Sequence, residues 1–359
     1  MNPTAQLHEL GQSLWLDNIT RTMLRDGTLA HYIGELSITG LTSNPTIFDK
    51  AISGSDAYDE QIAEAGPGAD SVEELFFELA IADLRDAADL FAPAHERSDG
   101  VDGWVSLEVS PKLADDTEAT IAQAAKLHKQ AQRDNLFVKI PGTEAGLPAI
   151  EESIFAGRAI NVTLLFSAEQ CLAAADAFMR GVERRIEAGL DPAVPSVASI
   201  FLSRWDVAVS DEVSDELRNR LGIAVGKRAY RAYRELLDSQ RWKRLANEGA
   251  RPQRLLFAST GTKDPEASDV LYVEGLAAPF TINTMPDATL KAFADHGAVG
   301  KPLPEDGGDA DAVLAEFESA GIGIDALAAR LQQEGKDKFE KSWNEMLDSI
   351  EAERERICR

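Results

Sequence analysis

The run Leu136-Phe137-Val138-Lys139-Ile140-Pro141-Gly142, followed by Ile160-Asn161-Val162-Thr163-Leu164-Leu165-Phe166-Ser167, sets the pattern from which the fold is read. Each is a short apolar segment containing β-branched residues, and each reads as a buried strand. Such segments recur along the chain. Eight can be placed, at residues 14–18, 37–41, 104–109, 136–140, 160–166, 196–202, 255–259 and 280–284. Between them, stretches at 72–90, 118–133, 168–188 and 206–247 carry apolar residues at spacings of three and four, the period of an amphipathic helix.

Eight strands alternating with helices predict an α/β chain forming a single (β/α)8 barrel of the TIM type, with extra helices at the N and C termini. An open, doubly wound sheet is the alternative, because periodicity does not distinguish closure from an open edge. A length of 359 residues suits one barrel with additions. The Gly- and Pro-rich stretch 296–311 reads as a loop after the last strand-helix unit. The charged, amphipathic stretch 324–357 is expected to pack on the barrel, so residues 1–359 read as one domain with 312–359 as a helical extension. That stretch fits burial within the chain or between chains, which leaves the oligomeric state open.

With 36 Lys and Arg against 61 Asp and Glu, the net charge of −25 repels a phosphate backbone, so nucleic acid is not an expected partner. A phosphorylated small molecule must then be held by a few placed cations. The two cysteines, Cys171 and Cys358, suit neither a disulfide framework nor a zinc site, and point to a reducing cytoplasm. The N-terminus lacks a basic region followed by an apolar run, and no stretch approaches the roughly 18 apolar residues of a membrane span. The five histidines show neither paired helical spacing nor a cysteine cluster, and no dinucleotide fingerprint follows a strand, so no metal or cofactor is expected. Gly222-Ile223-Ala224-Val225-Gly226-Lys227 looks like a phosphate loop but has the wrong glycine spacing and Arg228 where a hydroxyl is needed; it is read as helix.

A lysine inside an apolar strand is partly desolvated, which favours the neutral amine that attacks carbonyls. Alternation places Phe137 and Lys139 inside the barrel, and Asn161 and Thr163 together on one face of the next strand. Asp17 and Glu108 stand near the ends of two further strands, where carboxylates serve in proton transfer. Ser199-Ile200-Phe201-Leu202-Ser203-Arg204 and Ala258-Ser259-Thr260-Gly261-Thr262-Lys263 each put small hydroxyl residues before a cation just beyond a strand, a pattern suited to an anion. Singly, each has an ordinary structural reading as a snorkelling lysine, an Asn–Thr pair, a cap or a surface ion pair. Their convergence on strand ends of one barrel is what points to chemistry.

These residues resemble the transaldolase family, in order, from about Leu14 to Phe293. The resemblance is carried by Leu16-Asp17-Asn18, Thr39-Gly40-Leu41-Thr42-Ser43-Asn44-Pro45-Thr46, Ser106-Leu107-Glu108-Val109, Phe137-Val138-Lys139-Ile140-Pro141, Asn161-Val162-Thr163-Leu164-Leu165-Phe166-Ser167, Ser199-Ile200-Phe201 and Ser259-Thr260-Gly261-Thr262-Lys263. It implies a class I aldolase barrel that needs no metal, in which Lys139 forms an imine with a ketose and Asp17 takes the proton from the hydroxyl whose carbon–carbon bond breaks. It further implies a water near Glu108 and Thr163, dihydroxyacetone hydroxyls oriented by Asn44, Asn161 and Ser199, and a phosphate at Arg204 and Ser259. Phe201 is expected to shield the intermediate. The second phosphate-binding arginine of some members has no match after Ser259, and Lys263 is the expected replacement.

The implied reaction moves a dihydroxyacetone unit from sedoheptulose 7-phosphate or fructose 6-phosphate to glyceraldehyde 3-phosphate or erythrose 4-phosphate, in the non-oxidative pentose phosphate pathway. One alternative is a Schiff-base aldolase that releases free dihydroxyacetone; related aldolases resemble this pattern with an amide at position 108, so Glu108 favours transfer. The other is a catalytically idle barrel used as a scaffold, against which Asp17, Glu108 and Lys139 argue.

Overall fold

The computed structural model describes residues 2–358. Eight parallel strands, β1 (Gln12–Asp17), β2 (Ile38–Thr42), β3 (Trp104–Glu108), β4 (Leu136–Pro141), β5 (Ile160–Leu165), β6 (Ser196–Phe201), β7 (Gln253–Ala258) and β8 (Thr281–Met285), pair in chain order, and β8 closes on β1. The sheet is therefore a barrel rather than an open one. Each predicted strand is present, with ends displaced by at most two residues. β4, β5 and β6 are buried along their whole length, which explains why they read as continuous apolar runs rather than alternating ones.

The stretch 206–247 departs from the expectation of one long helix. It forms three, Ser203–Val209, Leu221–Asp238 and Gln240–Asn247. The run from Ser210 to Asp215, polar except for Val213, separates the first from the second, and Ser239 caps the third by accepting from the Trp242 amide at 3.1 Å. The false phosphate loop lies inside helix Leu221–Asp238, as expected. Its glycines allow close packing: a Cβ on Gly222 would sit 2.7 Å from an Asp206 carboxylate oxygen, and one on Gly226 would sit 2.8 Å from Leu276.

Alternation stacks the barrel interior in layers. A middle layer is aromatic. Trp104 and Phe137 stack with ring centroids 4.1 Å apart, and Trp15 lies 6.0 Å from Phe137. Gly40 makes room for the indole, since a Cβ there would fall 2.6 Å from Trp15 Nε1. Two residues further along β1 and β4 come Asp17 and Lys139, and with Glu108, four residues past Trp104 on β3, they form a polar layer at the C-terminal mouth.

Beyond β8, residues 297–309 carry neither helix nor strand, and helices Ala310–Ser319 and Ile324–Ile357 follow. The second, here the terminal helix, buries Leu327, Leu331, Phe339, Trp343, Met346 and Ile350, a stripe at helical spacing. It packs on helices Pro45–Ser53, Asp59–Ala65 and Val72–Arg97, with Trp343 edge-on to Phe76 at 5.1 Å. Among the described residues, no helix is long and apolar enough to cross a membrane.

Candidate active site

Strand register fixes the central pair. Glu108 of β3 lies opposite Lys139 of β4, and Lys139 in turn lies opposite Asn161 of β5. Lys139 Nζ donates to the Ser43 carbonyl at 3.0 Å and to Glu108 Oε2 at 3.3 Å, and both side chains are buried. Asp17, at the end of β1, accepts from Thr42 Oγ1 at 3.0 Å and from Asn44 Nδ2 at 3.4 Å. Asn44 also caps helix Pro45–Ser53, its Oδ1 accepting from the Ile47 amide at 3.1 Å. That bond leaves its amide nitrogen facing Asp17.

On the far wall, Ser199 Oγ donates to Asn161 Oδ1 at 2.7 Å, and Asn161 Nδ2 donates to Ser106 Oγ at 3.3 Å. The Thr163 hydroxyl is buried and has no protein partner, which leaves it free to hold a water or a substrate oxygen. Arg204 lies with its guanidinium 4.9 Å from the Phe201 ring and 5.6 Å from the Phe339 ring. Its Nη1 is buried without a protein partner. A buried guanidinium nitrogen left unpaired is costly unless an anion arrives to meet it.

These groups surround a cavity of about 90 Å³. Asp17, Asn44, Lys139, Thr163, Ser199, Phe201, Arg204 and Ser259 line it, while Glu108 and Asn161 stand behind, bonded to Lys139 and Ser199. Lys263 is not brought to this wall. It is exposed and lines a neighbouring cavity of about 340 Å³ together with Ser203, whose hydroxyl lies 2.8 Å from that of Ser259. A larger cavity, of about 480 Å³, opens at the opposite mouth of the barrel, but the lysine and its carboxylates converge on the small one.

Burial pushes the Asp17 carboxyl above its ordinary range, opposed by the charge of Lys139, the Thr42 hydrogen bond and the charge of Lys263. Burial also raises Glu108, against the charge and hydrogen bond of Lys139, and the Asp17 charge raises it further. Two buried carboxyl groups thus flank the Lys139 side chain. The backbone is strained at two strand ends beside it: Leu164 has φ 58°, where the β5–β6 register breaks, and Ser259 has φ 56°. Leu164 therefore departs from the alternation expected of β5, and its side chain meets the terminal helix at Gly335.

Several contributors were not anticipated. Thr42 and Thr284, whose hydroxyls lie 3.1 Å apart, line the wall beside Asp17. Thr42 shares a face with Gly40, a two-residue spacing that could have marked it. Phe339 lines the cavity from the terminal helix, which is fastened there by Gln332 Nε2 donating to the carbonyls of Gly142 at 3.1 Å and Leu164 at 3.0 Å.

Over residues 14–350 the sequence matches the family described as transaldolase/fructose-6-phosphate aldolase. It is 47% identical over 358 residues to a transaldolase of Thermobifida fusca, covering 97% of each chain. Identity is 46% over 357 residues to a transaldolase of Parafrankia sp., again 97% of each chain. It is also 46% over 358 residues to a transaldolase of Thiobacillus denitrificans, covering 98% of this chain and 100% of the relative.

Proposed function

The chain belongs to the transaldolase/fructose-6-phosphate aldolase family, and from that premise we propose that it is a transaldolase working through a Schiff base on Lys139. The observation that carries this reading is the pairing of Lys139 with Glu108 at 3.3 Å beside Asp17, in a cavity that Phe201 and Phe339 help to line.

The neutral Lys139 amine attacks the ketose carbonyl carbon. Glu108, raised by burial and bonded to Nζ, accepts the proton the amine gives up and returns it to the departing hydroxyl as water leaves. A water held at the unpartnered Thr163 hydroxyl relays that proton. The protonated imine then draws electrons toward itself. Asp17 takes the proton from the hydroxyl on the carbon beyond the scissile bond, that bond breaks, its electron pair forms the enamine, and an aldose phosphate departs.

The enamine carbon next attacks the aldehyde carbon of the acceptor. Asp17 gives its proton to the new alkoxide, and water hydrolyses the imine to free the product and Lys139. Asn44, Asn161 and Ser199 hold the hydroxyls of the three-carbon unit, and Arg204 with Ser259 holds the phosphate. The unpaired Nη1 of Arg204 supports that assignment. Lys263, one cavity further out, is assigned to the phosphate of longer chains rather than to the three-carbon unit.

The donors are sedoheptulose 7-phosphate and fructose 6-phosphate, the acceptors glyceraldehyde 3-phosphate and erythrose 4-phosphate, and the pathway is the non-oxidative pentose phosphate route. The working place is the cytoplasm, a reading supported by two cysteines that stay unpaired, Cys171 buried and Cys358 exposed. Residues 1–359 act as one barrel domain on which 312–359 form an extension. Formation of sedoheptulose 7-phosphate from fructose 6-phosphate only when erythrose 4-phosphate is added tests the reading. Equal release of free dihydroxyacetone with and without acceptor would replace it with an aldolase.

A further inference from the structure

The N-terminal mouth of the barrel holds a cavity of about 480 Å³, within the size range of small-molecule sites, which runs from about 300 to 1,000 Å³. In this architecture that end is ordinarily a packed layer of side chains, and unfilled space forfeits dispersion contacts. Here the strand side chains at that end, Ser13, Val197 and Arg254 among them, leave the space between them open. Trp104 and Phe137 of the aromatic layer form the roof, and Tyr233 lies on the side. Two exposed apolar residues stand at the rim, Val101 at 49% exposure and Phe280 at 61%. Phe280 is held there in a left-handed conformation, φ 64°, by its amide donating to the Gly11 carbonyl at 2.9 Å. An aromatic residue adopts that backbone only at a cost, and such strain gathers at ligand clamps.

One wall is polar and buried. Asp102, 8% exposed, uses Oδ1 to accept from Ser13 Oγ at 2.6 Å and from Arg254 Nη1 at 3.3 Å. Arg254 spends its other terminal nitrogen on Ser13 Oγ at 2.6 Å and the Thr281 carbonyl at 3.0 Å. Its terminal donors are thus occupied. Oδ2 of Asp102 faces His8 only at 3.6 Å and keeps acceptor capacity. Aromatic side chains in the lining, with a buried carboxylate oxygen still able to accept, suit a flat apolar molecule that carries an N–H donor on its edge.

We propose that this cavity is a second binding site, distinct from the Lys139 site, for a planar amino-substituted heteroaromatic molecule of about purine-nucleoside size. The ring packs against the side chains of Trp104, Phe137 and Tyr233, and its amino group donates to Asp102. This site stands independently of the transaldolase reading.

The test is isothermal titration of the full-length protein with adenosine and with purine riboside, which lacks the amino group. Saturable adenosine binding in the millimolar range or tighter is expected, with purine riboside weaker by about tenfold, the loss of one hydrogen bond to a charged acceptor. A Val101→Trp variant, altered only at the exposed rim, should abolish adenosine binding while keeping sugar-phosphate turnover. No binding of either nucleoside, equal binding of both, or binding unchanged in Val101→Trp would each overturn the proposal.

Discussion

Glu108 Oε2 lies 3.3 Å from Lys139 Nζ because the two residues are register partners on adjacent parallel strands, so the backbone ladder itself holds the pair. An amide at position 108 keeps the shape but cannot take the proton that the amine must lose. Glu108→Gln should therefore fold normally and lose about a hundredfold or more in kcat/KM for dihydroxyacetone transfer, the usual scale of a general acid–base group. Steady-state kinetics check this, and unchanged turnover would remove Glu108 from the proton path.

The pH profile follows from the same geometry. Asp17 must be ionised to act as a base, and burial raises it above the ordinary carboxylate value of about 4. Activity should thus fall as pH drops through a value above that figure. Burial raises Glu108, and the Asp17 charge raises it further, so each charge opposes the other. Removing the Glu108 charge should move the acidic limb of the kcat/KM profile of Glu108→Gln to lower pH, whatever its height. A limb that stays put or moves up would contradict the coupling.

Gly335 sits in the middle of the terminal helix, where glycine costs up to about 1 kcal/mol relative to alanine. A Cβ there would fall 3.2 Å from Arg204 Nη1 and 3.1 Å from Leu164 Cδ2. Gly335→Ala should crowd the Arg204 guanidinium, raising KM for phosphorylated sugars severalfold with little change in thermal midpoint. Arg204→Ala should raise KM further. Inorganic phosphate inhibition measured on both variants reports whether the anion site is what changed.

Phe339 lines the Lys139 cavity from the terminal helix, its ring 6.3 Å from that of Phe201. A three-carbon enamine held beneath these rings is kept from water. Phe339→Ala should increase the free dihydroxyacetone released per transfer event while the Lys139 adduct still forms. Enzymatic assay of dihydroxyacetone alongside transfer checks it, and an unchanged ratio would assign Phe339 to packing alone.

The barrel was legible because its strands are almost wholly buried and so write themselves as apolar runs with β-branched residues, and because polar residues inside such runs, Lys139 and Thr163 among them, are conspicuous. Less legible was whatever depends on distant parts of the chain meeting. Phe339 and Gln332 reach the site only because the terminal helix crosses the C-terminal mouth, and helical spacing indicated packing on the barrel without indicating over which part of it. Asp206 shows the same limit. Its carboxylate accepts from the Leu221 amide at 2.9 Å and the Gly222 amide at 3.0 Å, so a break that local periodicity passed over is bridged by a contact across it. Lys263 was placed by its neighbours in sequence, but the loop after β7 carries it into the adjoining cavity.

Borohydride reduction in the presence of fructose 6-phosphate, followed by peptide mass mapping, tests the Schiff base most directly. A dihydroxyacetone adduct confined to Lys139, and discharged when erythrose 4-phosphate is added before the reductant, is expected. An adduct on another residue, or none at all, would contradict the proposal that Lys139 carries the three-carbon unit.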